Sequence, residues 1–175
     1  MTDFATIEAE IRQFHGLYAD AVWRKDYDAF GDCFTEDAQW RISGMVLQGR
    51  EQIVWNLRRL MPRFRRILMT FRTPILQVVG DGQATGRTYV TEQSALINGD
   101  PATTIGIYYE RFVHQGDRWR CNWRLFQLHY MGAEDLSGPF FDNPDFGPPP
   151  HMPDLDAPTY NHSGFGTEVP THNDQ

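Results

Sequence analysis

Only two cysteines, Cys33 and Cys121, occur in the 175 residues. That number excludes a disulfide framework and a cysteine zinc site. Both sit among apolar neighbours and read as small core side chains. No stretch approaches 18 uncharged apolar residues, so no membrane-spanning helix is expected. The N-terminus, MTDFATIEAEIRQF, lacks the basic segment and apolar run of a secretory signal. A cytoplasmic protein with no membrane partner is the expectation. Lys and Arg are absent from residues 132–175, which hold 8 acids, whereas residues 1–131 hold all 16 bases against 15 acids. The body is therefore near neutral and the tail carries the net charge of −7. A nucleic-acid binder would need a basic surplus that this body does not have. A Gly-rich phosphate loop, a GxSxG elbow and an HExxH helix are also missing. His114, His151, His162 and His172 have no carboxylate or cysteine spacing that marks a metal site, and no metal is expected.

What the chain does have is rings: 12 Phe, 7 Tyr and 5 Trp. A single domain this rich in aromatics either packs a heavy core or lines an apolar pocket.

Phe4, Ile7, Ile11, Phe14, Tyr18, Ala21 and Val22 recur at spacings of three and four, which predicts a helix with one apolar face, capped at Thr2 or Asp3. Tyr27 to Phe34 reads as a short second helix and Thr35-Glu36-Asp37 as a turn. Ala38 to Ser43 alternates as a strand, with Val46 to Gln48 as its partner. Gly49-Arg50-Glu51 opens a third helix, stopped by Pro62. Then come long strand candidates at Met69–Val79, Gln83–Ile97, Thr103–His114 and Arg118–Tyr130. Gly80-Asp81-Gly82, Asn98-Gly99-Asp100-Pro101 and Gln115-Gly116-Asp117 separate them as hairpin turns. Helices first and an antiparallel meander second is an α+β plan, with the helices on one face of a curved sheet. Residues 1–131 form that domain. Residues 132–175 hold eight of the eleven prolines and predict an extended arm. Its Phe140, Phe141, Phe146, Met152, Leu155, Tyr160 and Phe165 are expected to lie against the domain or a partner subunit.

Four passages carry a family resemblance: the opening helix with Tyr18, the DCFTEDAQWRISG segment apart from Cys33, the GREQI helix start at Gly49, and GDRWRCNWRLF in the last strand. Over roughly residues 5–131 the chain resembles the SnoaL-like branch of the nuclear transport factor 2-like superfamily. That superfamily includes scytalone dehydratase, ketosteroid isomerase, polyketide cyclases, dehydrochlorinases and the β subunits of ring-hydroxylating dioxygenases. The resemblance implies a cone-shaped α+β barrel, an apolar cavity, a homodimer and chemistry without a cofactor. The same fold hosts enzymes and non-enzymes, so function rests on the site.

The dehydratases and dehydrochlorinases of the family use an Asp–His pair, in which a carboxylate orients an imidazole that removes a proton. The resemblance puts Trp23 at the Asp position and Met69 at the His position, so both groups are replaced. The isomerases pair a helix Tyr and a late-strand acid as an oxyanion hole. Here Tyr18 matches the first, Tyr108 falls at the second, and the position of the base holds Ile42. Two phenols facing one cavity can still donate hydrogen bonds to an enolate or carbonyl oxygen. If Phe126 points inward, as its family counterpart implies, the two-residue strand period turns Asn122 and Arg124 inward too and His129 outward. A buried arginine needs a partner, and Glu110, which shares the parity of Tyr108, is preferred over Glu92. His15 shares the face of Tyr18. Trp40 and Trp55 complete the expected lining. The arginine run Arg58, Arg59, Arg63, Arg65 and Arg66 is expected to dock the acidic tail or a second subunit. Two readings stay open. One is a small-molecule pocket protein acting as a cofactor-free lyase or isomerase on a hydrophobic ring-containing carbonyl compound, with Tyr18, Tyr108 and Arg124 in the chemistry. The other is a non-catalytic binding or structural subunit.

Overall fold

The computed structural model describes residues 3–162. Helix α1 spans Phe4–Arg24 and buries Ile7, Ile11, Phe14, His15, Tyr18, Ala21 and Val22, the stripe that the sequence period sets. Asp3 caps it by accepting a hydrogen bond from the Thr6 amide at 3.1 Å. The chain leaves α1 through Lys25 in the left-handed region, φ 57°. Lys25 is held there by its ammonium, which donates to the Phe64 carbonyl at 2.8 Å. Asp26 caps the short helix α2, Tyr27–Asp32. Helix α3 covers Arg50–Leu60 and gives way to a 3-10 turn at Met61–Arg63 that contains Pro62.

Seven strands follow the helices or lie between them: β1 Phe34–Ile42, β2 Met45–Gln48, β3 Phe64–Phe71, β4 Ile75–Gly80, β5 Gln83–Leu96, β6 Pro101–Gln115 and β7 Arg118–Gly132. They form one curved, unclosed sheet in the order β2-β1-β7-β6-β5-β3, with β4 also on β5. The expected α+β architecture holds, but three local readings are corrected. The sheet is mixed, because β1 lies parallel to β7. The Thr35-Glu36-Asp37 turn sits inside β1, where the pairing to β7 slips between Phe34 and Gln39 and Thr35 bonds Asp37 at 2.8 Å. The strand read as Met69–Val79 is two strands, split at Arg72-Thr73-Pro74. Proline has no amide for a ladder, and the break lets β3 pair with the far half of β5 while β4 pairs with its near half.

The concave face carries the main core, built from α1, α2, α3 and the inward side chains of the sheet. Cys33 and Cys121 are free and buried within it, and burial pushes both thiols up to about 12. Gly106 on β6 allows the Phe126 ring to lie across the strand; a Cβ there would overlap that ring.

The convex face has a second apolar patch, Ile107, Tyr109, Trp123 and Leu125, against which Phe146, Met152 and Ala157 pack. Residues 133–162 contain no helix or strand and are strapped there by side-chain-to-backbone bonds. Arg111 donates to the Pro153 carbonyl at 2.8 Å, Trp123 to the Leu155 carbonyl at 3.1 Å and Asn143 to the Leu128 carbonyl at 2.7 Å. Arg87 pairs with Asp145 at 2.7 Å. Phe141, Phe146 and Met152 are half-buried, while Phe140, Leu155 and Tyr160 stay exposed. Phe165 lies outside the described residues. The described part of the arm contacts the convex face, and through Phe141 the main core; of the arginine run, Arg58, Arg59 and Arg66 stack over Tyr27, Trp55 and Trp23.

Candidate active site

The interior of the cone is a cluster of rings. Tyr18, Phe30, Phe34, Trp40, Phe71, Tyr108 and Phe126 contact one another with centroids 4.9–6.4 Å apart. Beneath them lies a charge pair with no solvent exposure, Glu110 and Arg124, directly opposite on β6 and β7. Arg124 Nε donates to Glu110 Oε1 at 3.0 Å and Nη2 donates to the same oxygen. The other oxygen, Oε2, accepts from Thr88 and from His15 Nε2, each at 2.9 Å. Burial by itself would raise the Glu110 pKa. The positive groups and donors at His15 and Arg124 outweigh it and hold the carboxyl down at about 2. The guanidinium is 4.3 Å from the Tyr108 ring centroid and 4.6 Å from that of Tyr18, so π faces share the solvation of the charge.

Tyr18 and Tyr108 are both buried. Desolvation raises both phenols well above the ordinary range. Their hydroxyls also interact, in the sense that lowers Tyr18 and raises Tyr108. The charge of Glu92 reaches both phenols. This residue lies on β5, two positions beyond Val90, with the inward parity of Thr88 and Val90. It lines a mostly apolar cavity of about 110 Å³, with Ile42, Leu60, Phe126 and Leu128 among its walls and Ser43, Ser94 and Thr104 as its other polar side chains. Desolvation pushes its carboxyl up to about 7. Among the described residues no cation or hydrogen-bond donor is paired with it. A carboxyl that titrates near neutrality in an apolar lining can accept and return a proton.

Trp40, Met69 and Phe126 are buried in the core as inward side chains. His15 is buried on the floor against Glu110. Three expected lining residues are elsewhere. Trp23 is exposed under Arg66, because the inward stripe of α1 ends at Val22 and the next residue is turned about 100° away. Trp55 is half-buried and stacks with Arg59, off the α3 face that buries Ile53, Asn56 and Leu57. Asn122 is the extra residue of a bulge: Phe112 pairs with Cys121 and Arg111 with Trp123. The bulge turns Cys121 inward in place of Asn122. Arg124 faces inward but is sealed under the rings, so it acts on the site through its field. His129 lies on the convex side, where burial lowers its pKa and Arg87 and Asp145 are its charged neighbours. Sequence reasoning undervalues Glu92. The signal for it is parity with Thr88 and Val90, since an inward carboxylate on an apolar strand face needs an explanation.

Among the described residues, no three His, Cys, Asp or Glu side chains gather as a metal site, and no helix is long and apolar enough to cross a membrane.

The sequence model of the SnoaL-like domain family matches residues 4–124. The chain belongs to this family. The SnoaL-like domain thus covers all three helices, β1 to β6 and the first half of β7, and includes every residue of the interior cluster except Phe126. No curated protein matches. Solved structures share the fold at low identity. A hexachlorocyclohexane dehydrochlorinase, LinA type 3 from Novosphingobium barchaimii, superposes with a TM-score of 0.66 at 16% identity, over 80% of this chain and 97% of that one. A protein assigned as a scytalone dehydratase from Novosphingobium aromaticivorans gives 0.71 at 17%, over 75% and 91%. The protein Aln2 from a Streptomyces species gives 0.66 at 20%, over 73% and 94%.

Proposed function

We propose that this SnoaL-like protein is a lyase or isomerase that moves a proton on a hydrophobic, ring-containing carbonyl compound, without a cofactor. The observation that carries the reading is Glu92, a carboxyl pushed up to about 7 and unpaired among the described residues, in a mostly apolar cavity within electrostatic reach of two phenols. In this reaction the Glu92 carboxylate takes a proton from the carbon next to the carbonyl. The C–H electron pair becomes the enolate double bond, and the carbonyl electrons move to oxygen. The Tyr18 hydroxyl donates to that oxygen, and the buried Arg124 cation below the rings favours its negative charge. Protonated Glu92 then returns the proton to another carbon, which is isomerisation, or to a leaving hydroxyl, which is dehydration.

The cavity of about 110 Å³ is smaller than the roughly 300 Å³ at which ligand pockets begin. A ring compound therefore enters only if lining side chains such as Leu60 and Phe64 turn aside. The same packing favours the second reading, a non-catalytic binding or structural subunit. One experiment separates them. The protein is incubated with 2-tetralone in D₂O and exchange at the carbon beside the carbonyl is followed by NMR. Enhanced exchange that Glu92→Gln abolishes supports the enzyme. No enhancement by the wild-type protein, or enhancement that survives Glu92→Gln, refutes the assigned role and leaves the subunit reading.

A further inference from the structure

A second site opens beside α1. A cleft of about 340 Å³ runs between α1, at Arg12, His15, Gly16 and Ala19, and the turn from β3 to β4, at Met69 to Pro74. It is separate from the Glu92 cavity, which shares none of these residues.

Three observations bear on its use. The first is His15, which lines the cleft and is 2% exposed. Its Nε2 is occupied by Glu110, but its Nδ1 is buried with no partner among the described residues. A buried polar atom left unpaired is costly, and in a folded protein it calls for an explanation. Glu110 is ionised and can only accept, so Nε2 holds a proton. In the neutral ring Nδ1 is then an acceptor, and in the protonated ring it is a donor. A hydroxyl satisfies either form.

The second observation is Gly16. Glycine inside a helix is disfavoured by about 1 kcal/mol relative to alanine. Packing does not demand it here, because a Cβ at Gly16 would meet nothing within 4 Å. What the glycine does is leave the helix wall of the cleft bare. The third observation is charge. Arg12 and Arg72 stand on opposite walls of the cleft. Arg12 bonds Glu8 at 3.1 Å. Among the described residues nothing pairs with the exposed guanidinium of Arg72. Between the polar groups the walls are apolar: the Phe71 ring stacks on the His15 imidazole at 4.7 Å, beside Met69 and Pro74.

We propose that this cleft binds a small hydroxycarboxylic acid with an apolar or aromatic body, its carboxylate on Arg72 and its hydroxyl on His15 Nδ1. Arg12 adds positive potential from the facing wall, and the body lies over Phe71, Met69 and the bare backbone at Gly16. The pairing follows from chemistry. A guanidinium recognises a carboxylate in its own plane, and the orphaned imidazole nitrogen asks for a group that can donate or accept. The proposal does not depend on the reaction assigned to Glu92.

The test uses the full chain, with mandelate as the probe and phenylacetate, which lacks the hydroxyl, as its control. The ring nitrogens of His15 are followed by NMR during each titration. Mandelate is expected to shift them and to saturate. Phenylacetate is expected to bind roughly tenfold more weakly, about the worth of one hydrogen bond made by an otherwise orphaned group. Arg72→Ala should weaken mandelate by roughly tenfold or more, and Gly16→Leu should abolish it by filling the cleft. Arg72 is on the surface, so its replacement keeps the test valid if the Gly16 variant folds poorly. Absence of any His15 shift with mandelate, or a shift unchanged in Arg72→Ala, overturns the proposal. Equal binding of the two acids overturns the role of His15 Nδ1.

Discussion

Glu110 and Arg124 face each other across β6 and β7 with no solvent exposure on either side chain. Two charges so deep in a ring cluster are held by completeness of bonding rather than by attraction alone. The carboxylate accepts from His15, Thr88 and twice from Arg124, and the cation is enclosed by the rings of Tyr18, Phe34, Trp40 and Tyr108. Desolvation makes such a pair weak as a source of stability and strong as a constraint, because neither partner tolerates the loss of the other.

Glu110→Leu is therefore expected to destabilise the fold by about 3–5 kcal/mol, through the guanidinium left buried without its counter-charge. Glu110→Leu combined with Arg124→Met should cost less than the two single changes together. A double-mutant cycle by urea unfolding measures this; additive losses would mean that the two side chains do not act as a pair.

Acid should reveal the same carboxylate. Its pKa falls from 4.5 when unfolded to about 2 in the fold. The unfolded chain binds the extra proton between those values, so the stabilisation is complete above about 4.5 and is lost as pH falls toward 2. Unfolding free energy measured from pH 6 downward should drop over that window, and the drop should shrink in the Glu110→Leu, Arg124→Met variant.

Glu92 has the opposite sign. Its carboxyl ionises at 4.5 in the unfolded chain and at about 7 in the fold. The folded protein holds the extra proton in between, so stability should decline as pH rises from about 4.5 through 7. The full shift corresponds to about 3 kcal/mol, an upper bound for a residue that is only half-buried. Glu92→Gln should flatten this limb and be more stable than wild type at pH 8. An unchanged pH dependence would show that Glu92 is solvated.

The arm offers a separate test. Cleavage after Gly132 would bare Ile107, Tyr109, Trp123 and Leu125 on the convex face. Losing the contacts of Phe146 and Met152 removes roughly 2–4 kcal/mol of apolar burial, or roughly 5–10 °C in melting temperature for a chain of this size. The bared face should also self-associate. A truncated protein with unchanged melting and unchanged elution in size-exclusion chromatography would show that the strap is idle.

The sequence announces those features of the fold that are encoded locally. The stripe from Ile7 to Val22 sets α1, and the Gly-Asp turns set the hairpins of β5, β6 and β7. It does not announce pairings between distant segments. The parallel contact of β1 with β7 joins residues more than eighty positions apart, and neither strand carries a pattern that names its neighbour. The site divides the same way. Tyr18, Tyr108, Glu110 and Arg124 follow from face and parity. Asn122 defeats parity because one bulge residue reverses everything before it. Trp23 defeats alignment because the last turn of α1 carries it past the buried face. Glu92 is legible by parity, but its importance comes from the absence of a partner, which only the packed neighbourhood decides.

The last expectation concerns which phenol meets the ligand oxygen. The two hydroxyls interact, and desolvation raises both phenols. The proposed reaction puts Tyr18 on the ligand oxygen and leaves Tyr108 behind it. In the 2-tetralone exchange assay, Tyr18→Phe should lower the rate by an oxyanion-donor-sized factor, on the order of 100-fold. Tyr108→Phe removes only the support behind that donor and should cost roughly tenfold or less, one neutral hydrogen bond. Both variants keep their rings over Arg124, so the fold and the melting temperature should hold. Equal losses in the two variants would mean that both hydroxyls reach the ligand. A larger loss in Tyr108→Phe would reverse the assignment. A rate unchanged in Tyr18→Phe would remove the phenol from the chemistry.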